Sequence, residues 1–114
     1  MNNVKLARQV AEKIRTKFRE QVQRDPQGQL KLFVRGSEVR KTYELETVEM
    51  VGVEPPEGKG LKPIAFSNFV ELVAMSLKRY KPYDYGHLYI NYEATDNGND
   101  FRMSIRAEKE THYN

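Results

Sequence analysis

No cysteine occurs among the 114 residues. Disulfides, thiolate metal sites and cysteine nucleophiles are thereby excluded. Histidine is nearly missing too: His87 and His112 are the only two, so a metal centre would need several converging carboxylates. No apolar run approaches the roughly 20 residues that cross a bilayer, and the first residues lack the apolar stretch of a signal peptide. A cytoplasmic protein without membrane contact is the expectation. The length suits a single domain over 1–114, with enough chain to bury one two-layer core.

Charge of either sign is plentiful but unevenly spread. Lys and Arg number 19 against 16 Asp and Glu, a net of +3. Residues 1–24 hold Lys5, Arg8, Lys13, Arg15, Lys17, Arg19 and Arg24 against only Glu12 and Glu20. Residues 44–57 hold Glu44, Glu46, Glu49, Glu54 and Glu57 and no base. Such asymmetry marks either a polyanion partner or two solvated, mutually attracted surfaces.

Hydrophobic periodicity sets the elements. Val4, Ala7, Val10, Ala11, Ile14, Phe18 and Val22 recur every three or four residues, which predicts a helix over 4–24 with Asn3 as N-cap. Asp25-Pro26 and Gly28 stop it. Residues 30–35 read as a short strand, Gly36-Ser37-Glu38 as a turn, and 39–51 as a second strand with Val39, Tyr43 and Leu45 on one face. The phase changes after Leu45, which either a bulge near Glu46-Thr47 or an end of the strand there would explain. Three of the five prolines and three of the seven glycines crowd into 52–63, a loop. Residues 67–80 follow as a helix capped by Ser67, with Phe66, Phe69, Val70, Val73, Leu77 and Tyr80 as its core stripe. Leu72 and Met75 project from its polar side, as apolar contacts for a partner do and as a wide stripe covered by a loop equally would.

The last elements are the clearest. Leu88, Ile90, Tyr92 and Ala94 alternate with His87, Tyr89, Asn91 and Glu93; Phe101, Met103, Ile105 and Ala107 alternate with Asp100, Arg102, Ser104 and Arg106. Asn97-Gly98 between them is a strong two-residue hairpin signal. That turn sets Ala94 opposite Phe101, Tyr92 opposite Met103 and Ile90 opposite Ile105 on one face. Glu93–Arg102, Asn91–Ser104 and Tyr89–Arg106 meet on the other, with opposite charges and a cation–π pair across the strands. Residues 108–114 read as a frayed tail. The order α-β-β-α-β-β predicts an α+β two-layer sandwich: a mainly antiparallel four-stranded sheet with two helices on one face. That order equals a ferredoxin-like chain with its first strand moved to the end.

Candidate chemistry is sparse. Gly58-Lys59-Gly60 departs from a phosphate loop, because the spacing from Gly52 is wrong, a hydroxyl residue is missing and nearby prolines lack amides. Asp96 to Asp100 is rich in oxygen ligands, but its glycine stands where a turn needs it rather than where a calcium loop does. His87 faces Glu108 across the hairpin, more as a cross-strand contact than as a catalytic pair. Glu44 and Glu46 share a strand face with nothing convergent near them. No cofactor, no metal and no enzymatic activity are expected.

Tyrosine is the suggestive residue, with Tyr80, Tyr83, Tyr85, Tyr89 and Tyr92 falling within 80–92. Arg79 and Lys81 interleave with them, and Arg102 and Arg106 join Tyr89 on the hairpin's polar face. Rings that stack and guanidinium groups that pair with phosphate suit nucleic acid; tyrosine and arginine equally suit a protein interface. The expectation is a non-catalytic binding module, an accessory or inhibitor protein that engages a macromolecular partner. Its candidate contacts are Arg79, Lys81, Tyr83, Tyr85, Tyr89, Arg102 and Arg106, with Leu72 and Met75 as apolar contacts. The partner is a protein, a second copy of the chain included, or a nucleic acid bound by the open sheet face and by Arg8, Arg15 and Arg19 on the basic helix. A small-ligand or enzymatic role is the remaining alternative.

Overall fold

The structure is a computed structural model that describes residues 2–45, 51–52 and 58–109. Val4–Lys13 (α1), a π-helical turn Ile14–Phe18 and Arg19–Arg24 (α2) run on as one helix. Gln27–Arg35 (β1) and Glu38–Tyr43 (β2) form a hairpin, Pro63–Arg79 is α3, and Tyr85–Thr95 (β3) and Asp100–Ala107 (β4) form a second hairpin. The sheet order is β2-β1-β3-β4, and every neighbouring pair is antiparallel. This is the expected α+β sandwich, with both helical segments on one side. As in ferredoxin-like sheets, the two strands joined by a helix, β2 and β3, run the same way with one antiparallel strand between them. Here that strand is β1, and the likeness to a permuted ferredoxin-like chain lies in this unit.

Apolar alternation builds the interface between the layers. Leu30, Leu32 and Val34 of β1 and Leu88, Ile90 and Tyr92 of β3 are buried against Leu6, Val10, Ile14, Phe18, Phe69 and Val73 from the helices. Removing these side chains from water is the main stabilising term. The core side chains of β4 (Phe101, Met103, Ile105 and Ala107) are only half-buried. The other side of the sheet carries no described helix.

The β3–β4 register is the one the alternation predicts, from Ala94–Phe101 through Tyr89–Arg106. Asn97 and Gly98 have φ of 56° and 86°, the left-handed pair that a tight primed turn requires, and the Asn99 amide donates to the Asp96 carbonyl at 3.0 Å. That turn abuts the loop before α3, where the Lys62 amide donates to the Gly98 carbonyl at 2.9 Å.

Several expectations are corrected. β2 stops at Tyr43, and its pairing with β1 slips between Phe33 and Val34, leaving Arg40 unpaired. The bulge therefore falls before Tyr43 and turns Tyr43 to the face opposite Val39; Leu45 lies beyond the strand, 68% exposed. The proposed bulge at Glu46-Thr47 lies outside the described residues, as does most of the acidic stretch. α3 starts at Pro63, four residues before Ser67, because a proline in the first turn gives up only an amide that has no helical partner. Tyr80 ends the helix and is 41% exposed rather than part of the core. Asn3 makes no capping bond; its side chain is buried against the end of α3.

Candidate nucleic-acid interface

The side of the sheet without a described helix displays the residues that alternate with the core. From β1 these are Gln29, Lys31, Phe33 and Arg35; from β3, Tyr85, His87, Tyr89, Asn91 and Glu93; from β4, Arg102, Ser104 and Arg106; from β2, Lys41 and Tyr43. Five rings gather toward the end of β1 and the start of β3. Phe33 meets Tyr85 edge-on at 5.5 Å and His87 at 5.2 Å, while His87 lies 5.9 Å from Tyr43 and 6.2 Å from Tyr89. The Lys31 ammonium sits 4.6 Å from the centre of the Tyr43 ring and 5.8 Å from that of Tyr89. Phe33, His87 and Tyr89 are half-buried by one another, and Tyr43 and Tyr85 are exposed.

Glu108, just past β4, fixes two of these rings. The His87 imidazole donates to one carboxylate oxygen and the Tyr89 hydroxyl to the other, each at 3.1 Å. Those bonds, His87 first, hold the Glu108 carboxyl below its usual range, and desolvation followed by the same carboxylate raises the Tyr89 phenol. Both Glu108 carboxylate oxygens are thus engaged by rings of this face. On this face, cations outnumber acids: Lys31, Arg35, Lys41, Arg102 and Arg106 against Glu93, Asp100 and Glu108. Phe33, Arg35, Arg40 and Lys41 bound a shallow concavity of about 530 Å³. Beside the rings, an amide ladder crosses three strands: Gln29 donates to Asn91 at 2.9 Å, and Asn91 donates to Ser104 at 3.2 Å.

Nothing among the protein-family models, the curated proteins or the solved structures matches this chain. The site therefore stands on its geometry alone.

The residues singled out in the sequence separate into three groups. Tyr85, Tyr89, Arg102 and Arg106 share the open sheet face. Tyr83 does not: it is 6% exposed, its hydroxyl donates to the Glu108 and His87 carbonyls, and burial pushes its phenol up to about 12. It ties the start of β3 to the end of β4. Arg79, Lys81, Leu72 and Met75 belong to the helix layer and its exit loop, exposed but on the other side of the sheet from the rings. Arg8, Arg15 and Arg19 are also exposed there, with the Arg19 guanidinium 5.1 Å over the Phe66 ring.

Phe33, Tyr43 and His87 are the members the sequence reading left out. Phe33 was within reach, since it alternates with Leu32 and Val34 in a run whose other phase is Lys31 and Arg35. Gly60, the last glycine of the weak phosphate-loop pattern, is structural: its amide donates to the Gln23 carbonyl at 3.2 Å.

Proposed function

We propose that the protein is a non-catalytic binding module that takes single-stranded nucleic acid on its open sheet face. The observation that carries this is the contiguous group Phe33, Tyr43, Tyr85, His87 and Tyr89 on the sheet face that carries no described helix, with Lys31 over two of the rings and Arg35, Lys41, Arg102 and Arg106 around them. Splayed bases stack on rings of this kind, and cations around them follow the backbone phosphates. Protein-binding faces suit the pattern less well, because their cores are depleted in charge and carry it at the rim, whereas Lys31 lies among the rings. The ladder of Gln29, Asn91 and Ser104 supplies amide and hydroxyl groups on the same face.

Fluorescence anisotropy with labelled oligo-U and oligo-dT, beside a duplex of equal length, tests the proposal. Single strands bind and the duplex binds more weakly, because paired bases cannot reach the rings. Phe33→Ala or Tyr89→Ala costs about 1–3 kcal/mol each, the range for one stacked base. Absence of binding to every single-stranded probe at low salt overturns the reading.

A further inference from the structure

The two edges of the sheet differ in a way that the nucleic-acid reading does not use. β2 is short, is interrupted by the bulge at Arg40, and is tied to α1: Gln9 accepts the Val39 amide at 2.8 Å and Lys5 pairs with Glu38. Bulges and charges of this kind are how proteins blunt a sheet edge. β4 carries charges too, Asp100, Arg102 and Arg106, but it has no bulge, and among the described residues no other element bonds its outer side. It is a regular eight-residue strand, Asp100–Ala107, without proline.

The polarity of that edge follows from the ladder. The Glu108 amide donates to His87 across β3–β4. Antiparallel pairing alternates every second residue, so the amides and carbonyls of Phe101, Met103, Ile105 and Ala107 point away from β3. The Phe101 amide does so visibly, donating to its neighbour's Asp100 carboxylate at 2.8 Å. The apolar side chains of these residues are half-covered, and Met103 and Ile105 line a cavity of about 400 Å³ with Ser76, Leu77 and Tyr80 of the α3 end. Leu72, one turn before Ser76 and 40% exposed, continues that flank.

We infer that this edge pairs with β4 of a second copy, antiparallel about a two-fold axis at Met103, joining two sheets into one of eight strands. The strand is complementary to itself in that register. Asp100 of each copy stands opposite Arg106 of the other, Phe101 opposite Ile105, Arg102 opposite Ser104, and Met103 opposite Met103. Charges meet on the open face and apolar side chains on the helix side, and the outward-pointing backbone groups are the ones that bond. A shift of one residue, centring the axis on Ser104, sets Arg102 against Arg106 and is disfavoured. A closed two-fold pair also uses up both edges and does not propagate. The dimer extends the aromatic face across the axis but does not depend on what that face binds.

Sedimentation equilibrium of the full chain over a wide concentration range tests it. The parent dimerises. Asp100→Arg and Arg106→Asp each turn two attractive pairs into two repulsive ones and weaken the dimer by roughly tenfold. An equimolar mixture of the two variants restores pairing as a heterodimer, since each then meets its opposite charge. Both positions are solvent-exposed, and unchanged circular dichroism verifies that the variants fold. A parent that stays monomeric throughout overturns the inference. So do variants that dimerise like the parent, or a mixture no tighter than either variant alone, the result expected if the axis lay at Ile105 with Arg102 facing Glu108.

Discussion

The Asn3 side chain closes the end of α3 at the scale of one residue. Its amide nitrogen donates to the carbonyls of Leu77, Tyr80 and Lys81 at 3.0, 3.2 and 3.0 Å, and its oxygen accepts the Tyr83 amide at 3.0 Å. The carbonyls of a last helical turn have no helical partner, and here a residue more than seventy positions away supplies one. Asn3→Ala removes the partner of the buried Tyr83 amide and leaves the Leu77 carbonyl only the Tyr80 amide, so it costs about 1–3 kcal/mol, read as a lower urea midpoint at unchanged m-value. Glu108 gives a second test at this scale. Hydrogen bonds from His87 and then Tyr89 lower its folded pKa. The stabilisation is present above the ordinary carboxylate value, about 4.3, and is lost as pH falls through the lowered folded value. Carboxyl-carbon NMR finds the Glu108 midpoint below the ordinary range, and His87→Ala returns it upward. A midpoint unmoved by that substitution means the bond does not form in solution.

Among the elements, the first helix and the loop before α3 are joined backbone to backbone. Gly60 and Leu61 donate to the Gln23 and Val22 carbonyls at 3.2 and 2.9 Å, and a Cβ on Gly60 would run into the Val22 carbonyl. Gly60→Ala therefore forces backbone apart, costing about 2–4 kcal/mol and lowering Tm by about 10 °C. At Gly58 the same change meets open space and costs only about 1–2 kcal/mol, for its left-handed φ of 72°. Calorimetry of both variants separates collision from conformation. How far each element could be read from sequence depended on whether local signals constrained one another. In the second hairpin, Asn97-Gly98 and two alternating strands agree on one register, so Tyr89, Arg102 and Arg106 were legible as one face. In β2 the unpaired Arg40 reverses the side-chain phase, and no local residue announces it, so Tyr43 read as sharing a face with Val39. The π-helical turn left no sequence signal either: Ile14, Phe18 and Val22 step by four, and the wider turn lets all three stay buried. Tyr83 looked like its neighbours in a tyrosine-rich run, and only the closing of β3 on β4 separates it from them.

For the molecule as a whole, cations stand on both layers with the core between them. Arg8, Arg15, Lys17 and Arg19 line the outside of the helices; Lys31, Arg35, Lys41, Arg102 and Arg106 line the open sheet face. A helix and a sheet together are more than about 10 Å thick, which exceeds the Debye length of about 8 Å at physiological salt. The two surfaces are therefore nearly independent there. Reversing Arg8, Arg15 and Arg19 to Glu changes single-strand affinity less than about threefold at that salt. The change grows near 0.01 M, where the Debye length is about 30 Å and the helix cations reach the ligand's field. Arg102→Glu with Arg106→Glu weakens binding at both ionic strengths, since those guanidinium groups would touch phosphate. If four sheet-face cations pair with phosphates, affinity falls roughly 50-fold between 50 and 200 mM salt, and removing two of them flattens that slope by about half. Anisotropy titrations of the three proteins across salt measure both quantities. If the helix reversal abolishes binding at physiological salt while the double sheet variant binds like the parent, the nucleic acid lies on the helices and the aromatic face serves something else.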